Sequence, residues 1–211
     1  MKLTARTSGL RPDADDPRRA MIITSIDFET ANPSRVSICA AGVAVFEDGE
    51  LTEAPYWLVR PPKPHGWFHD DFIECHGLTH LDFLDAPEFP AIAPAFLERL
   101  TRADIVIAHN AAFDIGHLRA TLNHFGLACP EFDYLCTYRV AERIWPDLPD
   151  HKLKTLAAHI GHAFNHHHAQ ADAEAAGRVL LAMMKHVNAN TPRELLRKSG
   201  MEPKRCSPEM E

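Results

Sequence analysis

Apolar residues first form a regular pattern at residues 21–28, where Met-Ile-Ile-Thr-Ser-Ile-Asp-Phe places apolar side chains on both faces of an extended chain. Such a run is typical of a central strand that is buried on both sides. Residues 35–46 continue with alternating apolar positions, and an acidic turn at residues 47–50 leads into residues 51–59. Because alternation and a short turn indicate neighbouring antiparallel strands, the pattern predicts a three-strand antiparallel meander.

From residue 91 onward the apolar positions change to helical spacing. This spacing predicts a helix over residues 91–100, and residues 105–108 form a second short apolar strand. A helix that crosses between two strands of one sheet makes them parallel. Helical spacing also predicts later helices, at residues 115–125, 138–144, 152–160 and 169–186. The expected fold class is therefore α/β, with a mixed sheet of three antiparallel strands plus parallel strands, flanked by helices.

The remaining segments set the limits of the folded domain. Residues 61–90 are crowded with prolines, aromatic residues and histidines, which predicts a long ordered loop with one short helix. Residues 1–20, rich in arginine, aspartate and proline, predict a disordered N-terminal extension. Residues 188–211 are polar and predict a C-terminal tail outside the core. One domain at residues 21–187 remains, which agrees with 45% apolar side chains in a chain of 211 residues.

Composition limits the class of protein. The chain has no apolar run typical of a secretory signal or a membrane span, and its five cysteines form neither a disulfide framework nor a CxxC metal motif. We therefore expect a cytoplasmic protein with no membrane partner. The net charge of −7 is unfavourable for binding nucleic acid, unless bound metal ions supply positive charge. The histidine run at residues 166–168 leaves a metal-storage tract open.

Asp27 and Glu29 are unusual residues for a buried central strand. Residues two apart on a strand share a face, and their Cα atoms lie roughly 6 to 7 Å apart. Two carboxylates this close and partly desolvated repel each other, unless one is protonated or a cation bridges them. The alternative is that the strand ends at Ile26 and that both acids face water.

Two more acids lie where helices begin. Asp114 follows a buried strand and so lies at the carboxyl edge of the sheet, although a simple helix cap would also explain it. Asp172 shares a helical stripe with the apolar Val179, and alanines around it keep the helix thin enough to approach the sheet. No basic residue shares this stripe. A hard divalent cation such as Mg²⁺, shared with Asp27 and Glu29, would satisfy the inward carboxylate of Asp172.

Three short segments resemble the motifs of a known family. Residues 27–30 (Asp-Phe-Glu-Thr), 109–114 (His-Asn-Ala-Ala-Phe-Asp) and 167–173 (His-His-Ala-Gln-Ala-Asp-Ala) resemble, in this order, the exonuclease motifs of the DEDDh, or DnaQ-like, family. The resemblance is strongest to exonucleases similar to the proofreading ε subunit of bacterial DNA polymerase III. Residues 76–79 and 152–157 are further similarities. Each motif is short, but three in order and at suitable separations make a specific signal.

The resemblance implies a ribonuclease-H-like fold and a 3′→5′ exonuclease that releases nucleoside 5′-monophosphates from the 3′ end of single-stranded DNA. It also implies two Mg²⁺ ions, which Mn²⁺ can replace. By position in the motifs, Asp27 would bridge both ions, and Asp114 would support the second ion. Glu29 and Asp172 would help to hold the ion that binds the attacking water.

One histidine of the run at residues 166–168 fits the family pattern. His167 has four residues between it and Asp172, whereas the same step from His166 or His168 reaches an alanine. The resemblance therefore implies that His167 is the general base that deprotonates the attacking water. Its two neighbours are expected to point elsewhere.

Residues beside the acids are candidates for substrate binding. The motif candidates are Phe28, Thr30, His109, Asn110 and Phe113. Aromatic side chains stack on terminal bases in a sequence-tolerant way, and Trp67 and Phe68 of the long loop are better placed for this than the two motif phenylalanines, which are expected in the core. The basic candidates for backbone contact are Arg35, Arg60, Lys63, Arg139, Lys152 and Lys154.

Other functions stay open at this point. The same carboxylates would serve a 3′→5′ exoribonuclease. A module that only binds nucleic acid would be expected to lack an acid or the histidine, and all five residues are present. A zinc protein would need clustered His and Cys ligands, which the spacing does not offer. Because no clamp-binding peptide is evident, a stand-alone exonuclease of repair or turnover is favoured, and any polymerase or repair partner is unidentified.

Overall fold

The structure is a computed structural model that describes residues 19–208. The predicted N-terminal extension, residues 1–20, therefore lies outside the described residues except for its last two. Arg19 forms an ion pair with Asp104 at an Nη1–Oδ1 distance of 2.9 Å, which ties the start of the described chain to the domain.

Strands form a single mixed sheet at the centre of the described chain. They are β1 (Ile22–Thr30), β2 (Ile38–Glu47), β3 (Glu50–Glu53), β4 (Tyr56–Leu58), β5 (Ile105–Ala108), β6 (Phe132–Cys136) and β7 (Lys204–Cys206). Their order is β3-β2-β1-β5-β6-β7, and β4 also pairs with β2. β1 is antiparallel to β2 and parallel to β5, β5 is parallel to β6, and β7 is antiparallel to β6.

Helices cover both faces of this sheet. They are α1 (Asp70–His76), α2 (Phe89–Arg102), α3 (Ala112–His124), α4 (Thr137–Ile144), α5 (Leu153–His159), α6 (Ala169–His186) and α7 (Pro192–Lys198). A short 3-10 helix (His80–Phe83) lies between α1 and α2. Among the described helices, none has the length and apolar character needed to cross a bilayer.

Two apolar cores lie on opposite faces of the sheet. On one face Ile23 of β1 belongs to a core that includes Val179 of α6. On the other face Ile26 belongs to a core that includes Phe96 of α2 and Leu118 of α3. Odd and even positions of β1 therefore contribute to different cores, as the alternation of strand side chains requires. Any side chain at an odd position of β1 faces α6.

The predicted α/β class and the antiparallel meander are confirmed, with one difference. The third strand of the meander is divided, because β3 ends at Glu53 and β4 begins at Tyr56, with Ala54 and Pro55 between them. Pro55 has no backbone N–H and so cannot donate to a continuous ladder. β5 and α6 begin and end at the predicted residues. The long loop holds α1 and the short 3-10 helix rather than one helix.

The prediction for the C-terminal segment was wrong where the structure describes it. Instead of a tail outside the core, residues 188–208 contain α7, whose Leu195 and Leu196 are buried in the core on the α6 side. They also contain β7, in which Cys206 is buried at the edge of the sheet. The sequence pattern did not indicate β6 either, because its five residues, Phe-Asp-Tyr-Leu-Cys, form neither a regular alternation nor a continuous apolar run. β6 is the strand on which β7 depends.

Candidate active site

Asp27 and Glu29 lie within β1 and not beyond its end. The strand continues to Thr30, so the alternative in which it stops at Ile26 is wrong. Both acids occupy odd positions, face α6 and are partly buried. Phe28, between them, points into the opposite core.

A glycine on β2 makes room for α6 next to these acids. Gly42 lies directly opposite Asp27 in the antiparallel ladder, so both positions share a face of the sheet. A Cβ atom at Gly42 would lie 2.1 Å from the backbone carbonyl carbon of Ala169, the first residue of α6. Because only glycine permits this approach, the first turn of α6 rests on β2 and brings Asp172 to Asp27.

Three carboxylates therefore meet between β1 and α6. One oxygen each from Asp27, Glu29 and Asp172 lies within 4.8 Å of the others. Oδ2 of Asp172 accepts hydrogen bonds from Nδ1 of His166 (2.9 Å) and the backbone N–H of His167 (3.3 Å). Oδ1 of Asp172 is buried and has no hydrogen-bond partner among the described residues. A buried carboxylate oxygen without a partner is costly, and a cation held by all three acids would satisfy it.

Asp114 approaches the same site from the other side of β1. It lies in the first turn of α3 and is almost fully buried. Its Oδ1 accepts a hydrogen bond from the backbone N–H of Phe28 at 3.2 Å. The N-cap position of α3 is Ala111, so the alternative in which Asp114 is a simple helix cap is wrong. Asp114 does not join the group of three oxygens described above, but its charge still acts on Asp27.

The acids raise one another's pKa. Burial raises the pKa of Asp27 well above its usual range, and repulsion from Asp114, Asp172 and Glu29 adds to this. Burial and then Asp172 raise the pKa of Glu29 to about 8. Burial raises the pKa of Asp172 to about 6, although the backbone N–H of His167 opposes the shift. A divalent cation would relieve this strain, and hard oxygen ligands are the ones that Mg²⁺ prefers.

The histidines differ from the prediction in one respect. His167 has a backbone φ of +66° and its Nδ1 lies 3.3 Å from Sγ of Cys75 on α1. The prediction that His166 points elsewhere was wrong: its ring stacks on that of His167 at 3.8 Å and bonds to Asp172. The left-handed turn at His167 reverses the chain direction and allows this contact. His168 instead stacks on Tyr56 at 4.5 Å.

Candidate substrate residues divide into accessible and inaccessible side chains. Phe28 is 3% exposed and stacks on Phe96, so its side chain cannot stack on a base, and Thr30 is equally buried. Phe113 is 39% exposed at the start of α3, and Asn110 before it is also exposed. Phe113 was expected in the core, and that expectation is wrong.

The remaining candidates lie around the site. In the long loop Trp67 is 51% exposed, whereas Phe68 stacks on Phe83 and is therefore a packing residue. Nδ1 of His109 contacts Oγ1 of Thr137 at 3.0 Å, and burial lowers the pKa of this histidine to about 4. His109 is therefore a neutral polar group.

Among the basic candidates, the charge of Lys154 reaches both His166 and His167 and lowers their pKa values, after the effect of burial. Arg35 acts in the same way on His117, whose ring packs on Phe113 at 4.1 Å. Arg139 is paired with Glu142 at 3.1 Å. Lys154 therefore lies close enough to act on the histidine run, and Arg35 close enough to act on the histidine beside Phe113.

Three residues of the site were missed from the sequence: Gly42, Cys75 and His166. Gly42 had a detectable signal, since a glycine inside an apolar strand indicates a close backbone approach. The other two had none, because Cys75 meets His167 across 92 positions of sequence and His166 depends on the turn that follows it.

The chain matches a known family over most of its length. The exonuclease family RNase_T matches residues 24–180, a range that contains all four acids and the histidine run. The chain is 31% identical over 164 residues to the DNA polymerase III PolC-type protein of Bacillus cereus, covering 76% of this chain. It is 28% identical over 176 residues to that of Clostridium perfringens, covering 82% of this chain. The chain spans only 11% and 12% of these relatives.

Solved structures share the fold at lower identity. "Exonuclease X in complex with 5' overhanging duplex DNA" has a TM-score of 0.66 at 22% identity, and the match covers 84% of this chain and 99% of that one. The nuclease domain of 3'hExo, titled a DEDDh family member bound to rAMP, has a TM-score of 0.67 at 18% identity, covering 79% and 92%. The fold is therefore ribonuclease-H-like, and the chain belongs to the RNase_T exonuclease family.

Proposed function

We propose that this protein is a 3′→5′ exonuclease that hydrolyses the terminal phosphodiester bond of single-stranded DNA with two Mg²⁺ ions and releases nucleoside 5′-monophosphates. The observation that carries the proposal is the meeting of Asp27, Glu29 and Asp172 around a buried carboxylate oxygen that finds no hydrogen-bond partner within residues 19–208. Divalent-metal dependence is general in this family. Mn²⁺ is expected to replace Mg²⁺, since both accept oxygen ligands.

The four acids would hold the ions. Asp27 would be the central holding residue, because it joins Glu29 and Asp172 in the group of three oxygens and the charge of Asp114 also acts on it. When bound, the ions supply Lewis acidity that activates the attacking water and stabilises charge on the leaving 3′ oxygen. The chain fixes these ligands on β1, α3 and α6, so their geometry costs little reorganisation during the reaction.

His167 would accept the proton of the attacking water. In the tautomer in which Nδ1–H donates to Sγ of Cys75, Nε2 is the ring nitrogen that can take a proton. Burial and the neighbouring His166 lower the pKa of His167, so its ring is neutral and able to act as a base at neutral pH. His166 would orient Asp172 through their hydrogen bond.

The substrate end would lie against the exposed residues beside the acids. Phe113 offers an aromatic face for a terminal base, and Asn110 before it offers polar contacts. Lys154 and Arg35 would attract the phosphate backbone, which partly offsets the acidic net charge. A single strand is favoured because a paired end must first be unstacked and unpaired, at a cost of a few kcal/mol.

Side-by-side digestion tests this proposal. Single-stranded DNA, duplex DNA and RNA of one sequence are labelled at either end and incubated with the protein and Mg²⁺. We expect the 3′ label to be released first as a mononucleotide, with single-stranded DNA cleaved fastest. Early release of the 5′ label would show digestion in the opposite direction and contradict the proposed 3′→5′ polarity. Faster cleavage of RNA would favour the exoribonuclease alternative. A cytoplasmic location and any polymerase or repair partner remain predictions.

A further inference from the structure

Two cysteines far from the acids form a close sulfur pair. Cys129 lies in the loop before β6 and Cys206 lies in β7, 77 positions later. Their Sγ atoms are 3.4 Å apart, and both thiols are free. Cys206 is opposite Phe132 in the ladder between β6 and β7, and Cys129 lies three positions before Phe132, so the strand pairing brings Cys206 to the segment that carries Cys129.

We propose that Cys129 and Cys206 are a redox modification site that closes to an intramolecular disulfide when the protein meets a low-molecular-weight disulfide. The thiolate of Cys129 attacks one sulfur of the reagent, forms a mixed disulfide and releases one small thiolate. Cys206 then gives its proton to the small thiolate just released and attacks the Cys129 sulfur, and the second small thiolate leaves and takes a proton from solvent. The protein loses two protons and two electrons, and the reagent is reduced to two thiols.

The surroundings of the two thiols decide which of them attacks the reagent first. Cys129 is partly exposed and can meet the reagent, whereas Cys206 is 1% exposed and can be reached only from within the pair. The hydrogen bond from Cys206 and then the charge of Arg119 lower the pKa of Cys129 to about 7, whereas that of Cys206 is raised. Cys129 is therefore the thiolate that attacks first.

The bond would fix the C-terminal part of the fold. β7 is an edge strand held to β6 by short pairing and by surface ion pairs such as Arg205 with Asp133 and Glu131. A disulfide would close a long loop that includes α7 and so restrict the unfolded chain. β5 and β6 separate β7 from β1, so the acids of the active site would keep their positions.

The test does not depend on catalytic activity. The full-length reduced protein is incubated with oxidised glutathione, blocked with an alkylating agent and digested without reduction for mass spectrometry. We expect a peptide pair linked through Cys129 and Cys206, and a melting temperature at least about 4 °C above that of the reduced protein. Cys129→Ser should abolish both results, and Cys75→Ser, which removes an exposed thiol outside the pair, should abolish neither.

Two results would overturn the site. One is a mixed disulfide of glutathione that stays on Cys129 while Cys206 is recovered alkylated. The other is the recovery of both Cys129 and Cys206 as alkylated thiols from a sample in which the exposed Cys75 has reacted fully with glutathione. If Cys129→Ser lowers the yield of folded protein, the linked peptide in the wild-type protein still decides between these outcomes.

Discussion

Gly42 lies directly opposite Asp27 in the ladder between β1 and β2, and the first turn of α6 rests on it. This relationship joins the fold to the site, because the absence of a side chain on one strand sets the position of an acid on a helix. The distance between Asp27 and Asp172 therefore depends on residue 42.

We predict that Gly42→Ala displaces α6 and lowers kcat by about a hundredfold, since a misplacement of roughly 1 Å is enough for such a loss. It should also destabilise the fold by about 1 to 3 kcal/mol through overpacking. Gly116→Ala is the matched control, because its Cβ would meet nothing closer than the Arg35 guanidinium at 4.0 Å. Rates and melting temperatures of both variants measure this. Wild-type activity in Gly42→Ala would contradict the role of the close approach.

A second prediction concerns stability without metal. Because the pKa of Glu29 is raised to about 8 in the fold, its protonated form stabilises the protein at low pH, and this stability is lost as the pH rises toward 8. Glu29→Gln should therefore be more stable than the wild type in EDTA at about pH 8, and the difference should shrink toward about pH 5. Mg²⁺ should reduce the difference by stabilising only the wild type. Equal melting curves in EDTA at both pH values would contradict the electrostatic strain.

The histidine run gives a third prediction. His167→Ala should lower kcat by about 10² to 10⁴, the usual contribution of a general base. His168→Ala, which loses only the stacking on Tyr56, should lower it by less than about tenfold, and His166→Ala should fall between them. The wild-type rate should rise with pH through a lowered histidine pKa, and this limb should disappear in His167→Ala. If all three alanine variants lose kcat to the same extent, the histidine run is only a solvated tract.

A fourth prediction concerns the terminal base. Phe113→Ala should raise KM for single-stranded DNA by about 5- to 150-fold, because stacking on one aromatic side chain contributes roughly 1 to 3 kcal/mol. Leu84→Ala is the control, since Leu84 is 66% exposed and lies after the 3-10 helix, outside the three motifs. Steady-state kinetics on one oligonucleotide separate the two variants. An unchanged KM in Phe113→Ala would remove Phe113 from the substrate path.

The spacing of apolar residues along the sequence predicted the helices and strands that bury one continuous face. Helical periodicity located α6, and β-branched residues located β5, because each element buries a continuous face. The motif positions also predicted that Asp27, Glu29 and Asp172 meet. Long-range contacts were not predictable: Cys75 reaches His167 only through the path of the long loop, and Leu195 is buried only because α6 offers a face to α7. Short edge strands such as β7 carry too few residues to show a period.

The most direct measurement is the initial rate of mononucleotide release from linear single-stranded DNA by the wild type and by Asp172→Asn, each with Mg²⁺ and with EDTA. Asp172→Asn keeps the size of the side chain but removes a negative charge at the buried oxygen that has no partner among the described residues. We predict activity only in the wild type with Mg²⁺, and a loss of at least about a hundredfold in the variant. A circular single strand should remain uncut under the same conditions. Undiminished release by the wild type in EDTA, or by the folded variant with Mg²⁺, would contradict a metal-dependent exonuclease site at these carboxylates.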